Sequence, residues 1–495
     1  MPRGPRVENE IFSFRRQQQR PGTGKLQSGQ IFMNISWLFW SVPDQNGSVV
    51  TKDAKRAMIS QFLGFGMDSY DMALVLVMAP VLTKVFASPA QSPAWQYLTV
   101  ALFYSITMAA RPVGSALFGH YADKFGRRFL LLFTIAGVGA MSLLSAFIPT
   151  REQVGAEAAF LIFGLLRLAM GIFFGGEYAV GHAFVIEHAP KDKRGGIGGF
   201  IQSGFPFGFA IASFVVLGFS LWLGEAAMQD YGWRIVFATG VLPVLVTLWI
   251  RKSLVESPEF EKAKKQGSME KAPFMSLFKP PTIRVFLQVF FFMTGLFLTD
   301  YAIYQFIPQI LKGKDKFGMV DFTLIYGTAL FFAFIGYNVF GRLSDYFGRK
   351  KLMQYYCVCV VILGVPLYHI LINAAINRNF RLALLGAVLA GCLKLAWGVI
   401  PAYLCERFPT KSRSVGVGFG YSAGAVLGGA GVTPLVALFH TLPFIAAVEG
   451  PSELWLSASS VLTIGAGVTF ISLLFSPETR HLDLSEVGKE TAASR

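Results

Sequence analysis

The chain has 495 residues, of which 53% are hydrophobic and only 15% charged, with a formal net charge of +15. A soluble domain carries about 25% charged residues, so this chain lacks the polar side chains to cover soluble surfaces. Nucleic-acid binding needs a concentrated basic face. Here lysine and arginine recur in alternate loops between apolar runs, which excludes that reading and marks membrane topology instead.

In chain order, residues 1–57 form a polar, basic extension without the apolar core of a signal peptide. Its one apolar stretch, IFMNISWLFWSV at 31–42, is too short to cross a bilayer, which takes about 20 helical residues. Twelve spans follow, at about 58–86, 98–121, 129–149, 157–184, 197–222, 233–252, 284–310, 323–347, 352–373, 381–405, 413–440 and 454–475. The charged stretch 253–283 separates two groups of six, giving bundles at 58–252 and 284–475, a linker between them and a tail at 476–495.

The loops after even-numbered spans carry Lys124, Arg127 and Arg128, then Lys191, Lys193 and Arg194, then Arg349, Lys350 and Lys351. The positive-inside rule places those loops, and with them both termini, in the cytoplasm of a cell-membrane protein.

Two motifs recur. GHYADKFGRR at 119–128 reappears as GRLSDYFGRK at 341–350, an offset of 222, and EHAPKDKR at 187–194 pairs with ERFPTKSR at 406–413, an offset of 219. Two motifs at nearly one offset imply duplicated halves of parallel topology, a transporter trait. In the first copy Gly119 and Gly126 allow a tight turn between packed helices. Asp123 can accept hydrogen bonds from helix-terminal amides or pair with a cation, and Arg127 and Arg128 place charge at the inner leaflet. Gly341, Asp345, Gly348, Arg349 and Lys350 repeat the pattern. With Glu187, Arg194, Glu406 and Arg413 they form a candidate conformational latch, one per half.

Ionisable groups inside spans are costly and point to function. Asp68 and Asp71 lie three apart in span 1, on nearly one helical face, and are proton-coupling candidates. Arg111, before Pro112 in span 2, can pair with a span 1 carboxylate or meet an anionic substrate. Arg167 and Glu177 in span 4 are ten residues apart, about 15 Å along the axis, so each needs another partner. Asp300 in span 7, which can also lie in an outward vestibule, and Lys394 in span 10 complete the substrate or charge-pair candidates. The sequence carries no Walker lysine motif, and the C-x-C at 357–359 lacks a second ligand pair for zinc. No cofactor, metal or catalytic group is expected, and the chain does not read as an enzyme.

These motifs resemble the major facilitator superfamily, and within it the metabolite:proton symporter group. The likeness rests on 119–128 and 341–350, on DSYD at 68–71, on RPVGSALFGHYAD at 111–123, on GEYAVGHAFVIEHAPKDKRG at 176–195, on ESPEF at 256–260 and on ERFPTKSR at 406–413. The resemblance implies an all-α membrane fold of twelve helices in two pseudo-symmetric six-helix bundles, working by alternating access; a monomer is the expected functional unit. It also implies Asp68 and Asp71 as proton carriers and Asp123 and Arg127 as latch residues. The sequence departs from the pattern at Gly66 and Met67. It ends span 12 in a sugar-porter-like PETR at 477–480, and its N-terminal extension has no counterpart.

The leading expectation is therefore a secondary transporter that takes up a small organic anion with protons across the lipid bilayer. Sugar, phosphate or zwitterion uptake and proton-driven export are the alternatives within that class. A non-transporting membrane sensor or scaffold is the alternative outside it.

Overall fold

Helices account for the fold, and their breaks matter as much as their number. The computed structural model describes residues 50–90, 93–267, 269–304, 307–311, 317–449, 455–480 and 482–487. The apolar segment 31–42 lies outside the described residues. From Val50 onward the chain packs as one compact unit.

Span 1 starts at Lys52, six residues before the expected 58, because Thr51 caps it, its hydroxyl accepting from the Ala54 amide at 3.1 Å. The span is two helices, Lys52–Val77 and Ala79–Phe86, bent by 67°. Pro80 sits in the first turn of the second piece, where it tolerates a helix start but not a helix interior. Span 2 is Pro93–Phe125, span 3 Arg127–Ser145 and span 4 Ala156–His188.

Spans 5 and 6 belong to one apolar helical run, Lys191–Lys252. It reverses near Gly224, whose φ of +78° leaves the helical region, and through a wide turn at Met228–Gly232. Span 5 is then Arg194–Gln202 with Gly204–Ala227, and span 6 Trp233–Thr239 with Val241–Lys252. The charged stretch 253–283 is not plain linker, for it holds a helix at Pro258–Lys265, capped by Ser257 through the Phe260 amide at 3.1 Å.

In the second half, span 7, expected at 284–310, is helical at Thr282–Tyr304 and again at Ile307–Leu311, with residues 305–306 outside the described residues. Span 8 is Met319–Phe347, span 9 Arg349–Ile376, span 11 Arg413–His440 and span 12 Trp455–Leu474. Span 10 is broken. Helix Phe380–Cys392 stops, a tight turn covers Leu395–Gly398, and Ile400–Arg407 resumes with Pro401 in its first turn. One carbonyl freed by the break, that of Leu393, accepts from the Tyr356 hydroxyl at 2.7 Å.

Spans 2 and 4 share the closest seam within the first half, and spans 7 and 12 within the second. Across the halves, span 2 packs on span 11 and span 5 on span 8. These two seams are images of one another under the 222-residue repeat, which places span 8 in the role of span 2 and span 11 in that of span 5.

Candidate functional site

Two groups of charged residues stand out, one at the face that carries the basic loops and one inside the spans.

At the basic face, each repeated aspartate crosses to the other half. Asp123, at the end of span 2, accepts from the backbone amides of Ser414 at 3.0 Å and Val415 at 2.9 Å, the first turn of span 11. Asp345, at the end of span 8, accepts from the amides of Gly195 and Gly196, both at 2.8 Å, in the first turn of span 5. A carboxylate there satisfies orphan amides and meets the positive end of the helix dipole. Each aspartate also pairs with the arginine four residues on, Arg127 at 3.1 Å and Arg349 at 2.9 Å.

Those arginines reach the second motif. Arg127 pairs with Glu187, which also pairs with Arg413 of the other half, while Arg349 pairs with Glu406 at 3.1 Å. Arg194 donates to the Leu482 carbonyl at 2.9 Å, and Arg413 to that of Leu484 at 2.9 Å, so the tail joins the same cluster.

The turn glycines divide their work. Gly126 and Gly348, at φ +118° and +93°, make the turns. Gly119, expected from sequence to help make the turn, instead lies inside the helix, where a Cβ would meet the Val415 Cα at 2.7 Å. A Cβ on Gly341 would likewise lie 2.5 Å from the Gly195 carbonyl oxygen. Both permit the cross-half approach.

Arg128 and Lys350 contribute first-turn amides, each 3.1 Å from a glutamate that lies in a quoted motif but was given no role from sequence, Glu256 of ESPEF and Glu478 of PETR respectively. Those two glutamates also cap Arg127 and Arg349, at 2.9 and 2.8 Å. Position 478 lies 222 residues after 256, so the repeat offset was the signal that would have found them.

Inside the spans, the two expected proton carriers have different surroundings. Asp71 pairs with Arg167, which also donates to the Ser145 hydroxyl and lies 4.9 Å from the Phe163 ring centroid. Asp68 is fully buried, and neither of its oxygens has a hydrogen-bond partner among the described residues. Arg111 pairs with neither aspartate. Its guanidinium lies 2.7 Å from the Met72 sulfur and 5.3 Å from the Phe174 centroid, and its Nε has no partner among the described residues.

Glu177 is held by Arg251 in a two-point contact, one arm at 2.8 Å, and accepts from Thr134 at 3.0 Å. Arg251 also donates to Ser60 at 2.9 Å and to the Leu131 carbonyl at 2.6 Å. The pair thus ties spans 1, 3, 4 and 6, a structural clamp in a place where a substrate contact was a candidate. Sequence reasoning missed Arg251, which stands beside Lys252 where an apolar span meets a basic loop.

Asp300 and Lys394 face each other at 3.2 Å, and both are buried in this conformation. Trp397 donates its indole N–H to Asp300 at 3.1 Å. Between the halves, Tyr178 stacks on Tyr421 at 3.7 Å. Tyr104 and Tyr301 share a hydrogen bond at 3.1 Å, about 28 Å along span 2 from Asp123 at 1.5 Å per residue.

This geometry has relatives. Residues 61–433 match the model of the Major Facilitator Superfamily. The chain belongs to that superfamily. As a superfamily member it is a multi-pass, all-α membrane protein of twelve helices in two bundles, a secondary active transporter of a small solute and not an enzyme.

Among curated superfamily proteins it is 29% identical over 436 residues to the inner membrane metabolite transport protein YhjE of Escherichia coli, covering 87% of this chain and 95% of that one. It is 29% identical over 448 residues to the glycine betaine/proline/ectoine/pipecolic acid transporter OusA of Dickeya dadantii, covering 89% and 86%. Among solved structures, the proton:xylose symporter XylE bound to 6-bromo-6-deoxy-D-glucose superposes with a TM-score of 0.68 at 19% identity, covering 88% of this chain and 98% of XylE.

Proposed function

We propose that this chain is a proton-coupled symporter carrying a small carboxylate-bearing solute into the cell, with its basic face in the cytoplasm. The observation that carries the reading is the contrast in span 1. Asp71 is neutralised by Arg167, whereas Asp68 is buried with no partner for its oxygens among the described residues. An uncompensated charge in apolar surroundings is costly, so Asp68 is the position built to take up and release a proton. Arg111, whose Nε has no partner among the described residues, and Lys394 supply the positive charge a carboxylate seeks.

The cargo reading moves from the simple organic anion favoured by sequence toward one that includes zwitterions. Relatives whose names state a solute include transporters of proline, betaine and ectoine, at 27–29% identity. All three solutes bear a carboxylate and a cationic centre. In the cycle, the latch at the basic face holds the inward path shut while proton and solute bind from outside. The aspartate caps then release, the halves rock, and both are delivered inside.

The test uses the full chain in proteoliposomes under an inward proton gradient, with labelled glycine betaine, L-proline, lactate and xylose. Uptake of a carboxylate-bearing probe that collapses with the gradient is expected, as is its loss in Asp68→Asn. Gradient-independent uptake refutes proton coupling. Wild-type gradient-driven uptake in the Asp68→Asn, Asp71→Asn double variant refutes the assigned proton site.

A further inference from the structure

The break in span 10 places a buried ammonium inside a cage. Lys394 follows the end of helix Phe380–Cys392, and its Nζ lies 3.2 Å from Asp300 Oδ1 and 3.8 Å from the centre of the Tyr304 ring. The Phe205 ring, contributed by the other half, is 5.6 Å away. Trp397 fixes the carboxylate through its N–H, and its own ring packs edge-on to Phe297 at 4.8 Å. The Tyr304 hydroxyl is buried with no hydrogen-bond partner among the described residues.

A carboxylate and the face of an electron-rich ring converging on one cation is the chemistry that recognises organic ammonium groups. Discontinuous membrane helices at the interface of two halves are also where transporters place their solutes. Here the cation in the cage belongs to the protein itself.

We propose that the Lys394 ammonium is a tethered stand-in for the cationic centre of a zwitterionic solute. The solute's ammonium takes its place between Asp300 and Tyr304, and Lys394 swings on its flexible stem to the solute's carboxylate. This rests on the reading that the cargo bears a carboxylate, and it names the class of that cargo. Charge balance selects it. The Asp300–Lys394 pair holds one positive and one negative group, and a zwitterion adds one of each, so both members keep a partner. A simple carboxylate that draws Lys394 away strands Asp300. A simple cation pairs Asp300 and strands Lys394. A sugar offers neither ion. Leaving one buried charge unpaired is strongly unfavourable, so the exchange discriminates by charge pattern more than by size.

The experiment measures binding to the full chain in nanodiscs with matched probes. Glycine betaine is compared with 3,3-dimethylbutyrate, its carbon isostere lacking the positive charge, and with choline, which lacks the carboxylate. L-Proline is compared with cyclopentanecarboxylate. At least one zwitterion is expected to bind about tenfold or more tightly than its uncharged-centre isostere, and glycine betaine more tightly than choline. Tyr304→Leu is expected to weaken zwitterion binding about tenfold while leaving the isostere within about twofold, and Tyr304→Phe, which keeps the ring face, to preserve it. Equal binding of zwitterions and isosteres overturns the cage and leaves the carboxylate carrier standing. So does a Tyr304→Leu variant that weakens both alike. Failure of every carboxylate-bearing probe to bind overturns both readings.

Discussion

Replacing Asp123 with asparagine tests the latch at its centre. In the structure the Asp123 carboxylate accepts from two amides, at 3.0 and 2.9 Å, at the start of the helix Arg413–His440 of the other half. Hydrogen bonds to a charged group contribute about 1.5–3 kcal/mol each, and a carboxylate at a helix N-terminus adds about 0.3–1 kcal/mol. When the basic face opens, those contacts are lost and the carboxylate returns to water, so their value counts only toward the closed state. Asparagine keeps one acceptor oxygen, removes the charge, and turns an N–H toward an N–H. We expect Asp123→Asn to shift the equilibrium toward the open basic face by about 2–3 kcal/mol, roughly 30- to 150-fold at 1.4 kcal/mol per decade.

Spin labels at Phe129 and Tyr346, both at the basic face, on opposite halves, and 69% and 67% exposed, report the separation by pulsed dipolar spectroscopy in a cysteine-free background. The distance distribution is expected to gain a longer component. Asp345→Asn, which removes the image contact to Gly195 and Gly196, is expected to do the same, and the double variant to add the two effects. An unchanged distribution in all three variants, with thermal stability retained, refutes the latch and leaves these aspartates as topology anchors.

Two further predictions concern stability. Glu177→Leu or Arg251→Met alone strands a buried charge and is expected to cost about 3–5 kcal/mol, whereas the double variant recovers most of it, read as unfolding midpoints in detergent. Singles and double equally unstable would refute the clamp. At the seam of spans 2 and 4, a Cβ on Gly175 would lie 2.0 Å from the Arg111 carbonyl oxygen, whereas one on Gly218, in span 5, would meet nothing within 4 Å. Gly175→Ala is therefore expected to cost about 1–3 kcal/mol and Gly218→Ala almost nothing. Equal midpoints for the two variants would contradict the packing.

The sequence exposed whatever the bilayer and the duplication write locally. Apolar length marked the spans, lysine and arginine marked their ends, and the repeat marked Asp123 and Asp345 before any helix was placed. What stayed hidden was pairing between distant residues. Lys394 has no carboxylate near it in sequence, because its partner Asp300 is 94 residues earlier on another span. Arg251 resembled an interfacial anchor because the Glu177 it clamps is 74 residues away. The bend at Met78 and the break around Lys394 were marked only by Pro80 and Pro401, and a proline near a helix start does not say that a helix has ended before it. Asp68 and Asp71 read as one coupled pair from their spacing, yet Arg167, brought in by span 4, gives them different surroundings.

The aspartate caps are reciprocal, each half supplying the acid that seals the other's helix. In an assembly of two identical, unlinked halves, one substitution would alter both seals at once, and their strengths could only rise or fall together. Joined in a single polypeptide, the seals become separate dials. Here they already differ: Glu187 gathers Arg127 and an arginine from across the divide, while Glu406 binds Arg349 and the hydroxyl of Thr479 at 2.6 Å. In a chain built this way one seal can change while the other stays as it is, so the stability of the closed basic face is open to selection in smaller steps.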